Sequence, residues 1–469
     1  MIDIVVVGGG ITGLTAAYRL SKEMPGARIT LLEADDRLGG KISSSTFAGI
    51  DGLDESADAF LTRVPYATGL AAELGLTAEL TSPAAASAAV WWNGMHAIPE
   101  GLMLGVPTDL ARLARSKLLS WPGKLRAALE PILPATGVDA DSVGRLIRKR
   151  FGNQVQERLV DPLVGSIYAA DTDRFSLVGV PQIFDLASSN RSLLIGGRKL
   201  RAKAAKAPAT GPIFATPRGG MTALTGALVD ALHAAGADVR TSAPVASIER
   251  AGQAWLVTTA DGATIRADGV ILATPARSTA PLLATLSPTA AASLATFEHA
   301  GVVMITLAVR ALDWPSELLR CSGYLVPKPV QQWVTAVSFG SSKWAHWQGT
   351  DDAGDALVVL RISLGRDGRD LTAKPDDELL AAAVGEVGGH LGFALAPVDH
   401  RITRWPMAFP QYRPGHAERV TAIEDALAGE APGLLLAGAS YHGIGIPACI
   451  NQANTAARVL TDLLHSVRN

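Results

Sequence analysis

Residues Ile4 to Leu20 read IVVVGGGITGLTAAYRL, and few folds can use such a stretch. Ile2 to Val7 has the apolar, β-branched make-up of a parallel strand buried on both faces. It runs into Gly8, Gly10 and Gly13, a G-x-G-x-x-G turn, and then into a segment that reads as a helix from Thr12 to Ser21. In such a turn the first glycine allows a tight reversal and the second lets backbone approach a diphosphate. The third lets the helix lie close on its strand. Ile11 and Thr12 fall at the helix N-terminus, where free N–H groups and the positive end of the helix dipole favour phosphate. A second strand, Arg28 to Leu32, leads to Glu33, twenty residues beyond Gly13, the spacing of an acid that binds ribose hydroxyls. The unit is a dinucleotide site.

The next residues, EADDRLGGKI, place Ala34, Arg37, Gly39, Gly40 and Lys41 directly behind that acid. A nicotinamide dinucleotide needs no second glycine pair at this point. The R-x-G-G-K segment resembles that of flavoproteins of the amine-oxidase-like superfamily, which implies FAD, an extended cofactor whose diphosphate takes donors from two sides. Later segments repeat the grammar. TPRGGMTALTGALVDAL reads as a glycine turn entering a helix, AWLVTTADGATIRADGVILATPA as a hairpin turning at Asp261-Gly262 and then a buried strand, Gly269 to Ala273. Near the end, Leu434 to Ala437 reads as a strand, Gly438, Gly443 and Gly445 as turns, and Ile450 to Leu460 as a helix. The expected fold class is therefore α/β. A Rossmann-like FAD domain is assembled from residues 1–68, 210–277 and 433–469. A mostly helical insert spans 69–209, and an antiparallel-sheet substrate domain spans 278–432.

Composition removes other classes. Forty-two Lys and Arg against 44 Asp and Glu leave no basic excess for nucleic acid. Two cysteines, Cys321 and Cys449, in no CxxC, argue against a disulfide framework and suit a reducing cytoplasm. The nine histidines show no metal spacing, so no metal is expected. No run of apolar residues is long enough to span a bilayer. Within the insert, LGVPTDLARLARSKLLSWPGKLRAALEPIL sets leucines among Arg112, Arg115, Lys117, Lys124 and Arg126. It reads as two packed helices with a solvated basic face, with contact to an anionic membrane surface as the alternative. GGRKLRAKAAKAP, Gly196 to Pro208, reads as an exposed loop or frayed helix.

Several stretches, in order, carry a closer likeness: DESADAFLTRVP, GSIYAADTDRFSL, TPRGGMTAL, RWPMAFPQYRPGH and GIGIPACINQANTAA. Over nearly its whole length the chain resembles the FAD-dependent protoporphyrinogen/coproporphyrinogen oxidase family. That resemblance implies that Gly8, Gly10, Gly13, Glu33, Arg37, Gly40 and Lys41 hold the ADP half, that Val245 meets adenine, and that Gly438 with Gly445, Ile446 and Pro447 line the flavin. One departure is Ala453, where the family usually has glycine. The implied reaction is the oxidation of a porphyrinogen in three two-electron steps, hydride passing to flavin N5, with molecular oxygen consumed and hydrogen peroxide released. Coproporphyrinogen III is favoured over protoporphyrinogen IX because the chain lacks a targeting peptide and carries extra cations. Hand-over of product to a ferrochelatase is a further implication, and monomer and homodimer both stay open. No general base stands out, so the flavin itself carries the chemistry. Arg63 is the candidate for a substrate carboxylate, and Tyr168, Trp405 and Tyr412 are candidates to face a flat ligand. A flavin amine oxidase, a carotenoid desaturase and a non-enzymatic FAD-binding protein are the alternatives.

Overall fold

The computed structural model describes residues 1–84, 87–134, 141–206, 211–351 and 353–466. Its centre is the first strand, Asp3–Val7, which pairs in parallel with Arg28–Leu32 on one side and Gly269–Leu272 on the other. Asp238–Arg240 and Leu434–Leu436 complete a five-stranded parallel sheet as its two edges. Alternate residues of the first strand enter different cores. Ile4 and Val6 pack with Leu14, Leu20, Leu228, Ile450 and Leu460 from the helices Ile11–Glu23, Thr222–Ala234 and Ile446–Ser466. Val5 and Val7 pack with Val257, Leu283, Leu294, Ile423 and Leu427 on the opposite face. Both faces being covered, the buried positions Ile4 to Val7 are all apolar, which is why they read as a continuous run.

The opposite face is covered by a three-stranded meander, Val245–Ala251, Ala254–Thr259 and Thr264–Ala267, and by the helices Ala276–Leu283, Pro288–Ala295 and His416–Glu430. These three helices draw on the stretch 276–432, most of it expected in the substrate domain, yet they complete the core of the parallel sheet. The closing helix starts at Ile446, four residues before the expected Ile450. Pro447 falls in its first turn, where a proline's missing N–H costs nothing.

A second, larger sheet is built on three long antiparallel strands, His299–Arg310, Ala356–Leu364 and Pro397–Pro410. Val334–Phe339 and Cys321–Leu325 extend it, and Ser87–Trp91 and Met95–Ala97 close its edge. The last two lie inside 69–209, so that stretch is not helix alone; it lends strands to the sheet expected downstream. Its helices gather around their own core, including Leu118, Ile147, Phe151, Leu159 and Phe175. Helix Trp121–Ala128 turns its largest apolar side chains outward, Trp121 and Leu125 being 78% and 65% exposed, so its outer face is not only basic. Of the run expected as an exposed loop or frayed helix, the part up to Ala204 belongs to a helix, Leu193–Ala204, capped by the Ser192 hydroxyl. Its glycines fit tight packing: a Cβ on Gly196 would come within 2.5 Å of Asn190, and one on Gly197 within 2.5 Å of Thr108. The domain boundary expected at 209/210 falls outside the described residues.

The two bodies are fastened at Asp58. Its carboxylate accepts from Lys343 Nζ at 2.7 Å and Trp344 Nε1 at 3.1 Å and lies 3.6 Å from Arg361. Burial works against the charge, but the two cations outweigh it and hold the carboxyl well below the usual carboxylate range. A depressed pKa contributes stability that is present above the unfolded-state value and is lost as pH falls through the folded one. Asp58→Ala should therefore lower the unfolding free energy at pH 7 by about 2 kcal/mol, because it strands two partly buried cations. In denaturant titrations the gap between variant and parent should narrow as pH falls below about 4.

Candidate cofactor and substrate site

The glycine turns lock into each other. Gly8, at φ +106°, donates its N–H to Leu32 O at 2.7 Å. A Cβ on Gly13 would lie 1.8 Å from Gly8 O, so the first helix rests directly on the turn before it. The second turn docks on the first: Gly39 N–H donates to Gly9 O at 2.9 Å, and a Cβ on Gly40 would sit 3.1 Å from Gly10 Cα. Arg37 braces that second turn from outside, donating to Gly40 O at 2.6 Å and Ile42 O at 3.2 Å. Two of its five donors are thus spent on backbone.

Glu33 stands at the C-terminal end of its strand and accepts from the N–H groups of Gly9 and Asp35. Each carboxylate oxygen keeps a lone pair for a ribose hydroxyl. Ala34 is exposed beside it. The chain at 240–243 is hydrogen-bonded to this corner, Glu33 N–H to Arg240 O and Ala243 N–H to Glu33 O, both at 2.8 Å. Val245, two residues on, opens the next strand. Ile11 and Thr12 are buried at the start of the first helix, whose first-turn N–H groups have no intrahelical acceptors.

At the other end, Gly438 (φ +136°) to Gly445 form a loop that leads into the closing helix at Ile446 and Pro447. The Gln452 side chain holds this loop, accepting from Gly438 N–H at 3.2 Å and donating to Gly443 O at 3.3 Å. Tyr412 holds it from the other side: its hydroxyl donates to Ala439 O at 2.7 Å and accepts from Gly443 N–H at 2.8 Å. Tyr412 is 3% exposed and stacks on His416 at 4.0 Å. This corrects the expectation that it faces a ligand; it positions the loop from within the core. Ala453 is fully buried in the helical core, so its methyl fills space between helices. Burial raises the pKa of Cys449, whose thiol contacts Gly443 O and Ile444 O at 3.9 Å.

Between the two ends the bodies meet. Trp405 pairs with Val302 and donates its indole N–H to Glu55 O at 3.1 Å, packing with Ala169 and Ala300. Gln411 ties this region to Tyr168 through the Tyr168 carbonyl, at 3.1 Å. The Tyr168 ring lies 4.7 Å from Phe175, and burial pushes its hydroxyl up to about 12. Trp405 and Tyr168 are therefore brought to one corner. Arg63 is not joined to them by any hydrogen bond or ion pair. It is exposed on the turn after Phe60–Leu61, beside the outward-facing Val64 and Tyr66. Lys41 reaches across from the second glycine turn and donates to Ala408 O. Burial lowers its ammonium to about 8, and nearby Arg277 adds to the shift. Sequence reading passed over Arg277 and His299, since neither sits in a motif; only the fold brings them beside Lys41.

Two interlocked glycine turns, an acid at a strand end, and a glycine loop ahead of a second helix N-terminus form an extended cradle with donors along its length. FAD fits these residues. The fold and site thus define a flavin-dependent oxidoreductase. The chain belongs to the family of flavin containing amine oxidoreductases, whose model matches residues 11–461. It is 33% identical over 497 residues to coproporphyrinogen III oxidase of Propionibacterium freudenreichii, covering 98% of this chain and 90% of the relative. It is 34% identical over 465 residues to the protein of that name from Mycobacterium tuberculosis, covering 98% and 97%. A solved structure from Exiguobacterium sp. 255-15, provisionally described as a protoporphyrinogen oxidase, superposes with a TM-score of 0.85 at 28% identity over 98% of both chains.

The contact between Gly13 and Gly8 makes a direct test. Gly13→Ala should purify without the flavin absorbance near 450 nm. Gly226→Ala, on a neighbouring helix where a Cβ meets nothing within 4 Å, should keep it.

Proposed function

We propose that this enzyme oxidises coproporphyrinogen III to coproporphyrin III with molecular oxygen as the final acceptor. The observation that carries the reading is the full-length likeness, at 33–34% identity, to relatives named for that reaction. When bound, FAD supplies the two-electron acceptor for each step. The balance is six electrons and six protons removed from the macrocycle, three oxygen molecules consumed and three hydrogen peroxide molecules formed.

The same reading gives this chain's residues their parts. Gly8, Gly10, Ile11, Thr12, Gly13, Glu33, Ala34, Gly39, Gly40, Lys41 and Val245 hold the ADP half, with Arg37 as the brace of the second turn. Gly438, Gly445, Ile446 and Pro447 border the flavin. Trp405 and Tyr168, at the corner between the bodies, offer the apolar surface a flat macrocycle needs. The N-terminus of the helix Ile446–Ser466 would favour negative charge on a bound flavin ring.

Porphyrin fluorescence in air, with coproporphyrinogen III and protoporphyrinogen IX supplied separately, tests the proposal. The tetracarboxylate should turn over at least tenfold faster, with three peroxide molecules released per porphyrin. The opposite preference would move the enzyme to the dicarboxylate, and an FAD-loaded protein inert toward both would overturn the assignment.

A further inference from the structure

The strand Pro397–Pro410 breaks its regular pairing where the two bodies meet. Trp405 pairs with Val302 and Phe409 with Ala300, so three residues, Pro406, Met407 and Ala408, bulge opposite Gly301 alone. Bulges of this kind re-aim a strand and gather at active sites. At its apex Met407 takes the left-handed conformation, φ +50°, and stays 44% exposed. A non-glycine residue held there is strained, and such strain concentrates at ligand sites.

Two cations from the cofactor body grip this bulge on consecutive carbonyls. Lys41 Nζ donates to Ala408 O, and Arg277 Nη1 donates to Met407 O at 3.1 Å. That is the one protein acceptor the Arg277 guanidinium uses among the described residues, which leaves most of its five donors unspent. No carboxylate lies within ion-pair distance of either cation among the described residues. The contrast with neighbouring basic groups is plain: Arg361 and Lys343 share Asp58, and Arg401 faces Glu55. The third group beside them, His299, donates from Nδ1 to Phe297 O at 3.0 Å, and its Nε2 is buried without a partner. Burial, Arg277 and Lys41 keep that imidazole neutral, at about 4, so it does not compete for an anion. A protein seldom concentrates positive charge at a partly desolvated junction without an anion to meet it.

We infer that Arg277, at the bulge beside Met407, receives a carboxylate of the substrate and so helps to select a polycarboxylate macrocycle. Lys41 follows the second glycine turn, and Arg277 lies on the helix that begins at Ala276. The exposed Met407 side chain supplies apolar contact next to the charge. A guanidinium matches a carboxylate through two parallel hydrogen bonds, which a lysine at this position would not reproduce. This inference rests on the porphyrinogen reading above.

The test is Arg277→Gln, with Arg277→Lys as the conservative variant and Arg266→Gln as a surface control on a distant strand. Three quantities are read on the FAD-loaded enzyme: KM for coproporphyrinogen III, kcat, and bound flavin from its absorbance. A fourth is the affinity of coproporphyrin III, measured by fluorescence quenching. Arg277→Gln should raise KM and weaken porphyrin binding about tenfold, with kcat within about twofold and flavin content unchanged. Arg277→Lys should recover part of the loss, and Arg266→Gln should match the parent. Unchanged KM and porphyrin affinity in Arg277→Gln would overturn the inference, as would loss of bound flavin at unchanged KM, which would assign the cation to the cofactor. A parent enzyme inactive on any porphyrinogen would instead overturn the proposed function, so the two failures are told apart.

Discussion

The structure depends on one close approach, that of the first helix to the turn before it. With a side chain at Gly13 the helix could not sit on Gly8 O, and its N-terminus would no longer face the space between the two glycine turns. The second turn is hydrogen-bonded to Gly9 and braced by Arg37, and Ser56 Oγ donates to Lys41 O at its end. Lys41 follows that turn directly and reaches the strand of the other body. A single backbone contact thus fixes the cofactor cradle and, through Lys41, one of the links across the domain junction.

A second level of organisation sits behind the flavin end. The loop at 438–445 has little regular structure, and its polar backbone would be costly if left loose and buried. Gln452 and Tyr412 satisfy it from opposite sides, one from the closing helix and one from the segment after the long strand. The aromatic series Tyr168, Phe175, Tyr412 and His416 then ties the helical insert to the same loop. Contributions from three separated parts of the chain therefore meet at one short loop, which suits a site that must hold a ring rigidly while substrate and product pass.

Much of this was legible because it is local. The G-x-G-x-x-G turn and the acid at the strand end follow from spacing, the R-x-G-G-K segment is legible through its resemblance to flavoproteins, and the structure brings all three together. The parallel sheet could be pieced together from buried strands at its recognisable glycine ends. What escaped was set by contacts distant in sequence. Tyr412 looks like a ligand-facing aromatic until His416 and Gly443 close around it. Ser87–Trp91 shows no strand pattern strong enough to announce a partner more than two hundred residues away at Cys321–Leu325. Arg277 is one arginine after a proline until the bulge at Met407 is folded beside it.

The account's central claim is that the interlocked glycine turns hold FAD by its ADP half. Competition calorimetry on the apoprotein tests it most directly, with FAD titrated in the presence of ADP or of riboflavin. The account predicts that ADP weakens apparent FAD binding in proportion to its concentration while riboflavin at the same concentrations leaves it nearly unchanged. Displacement by riboflavin with no effect of ADP would contradict it.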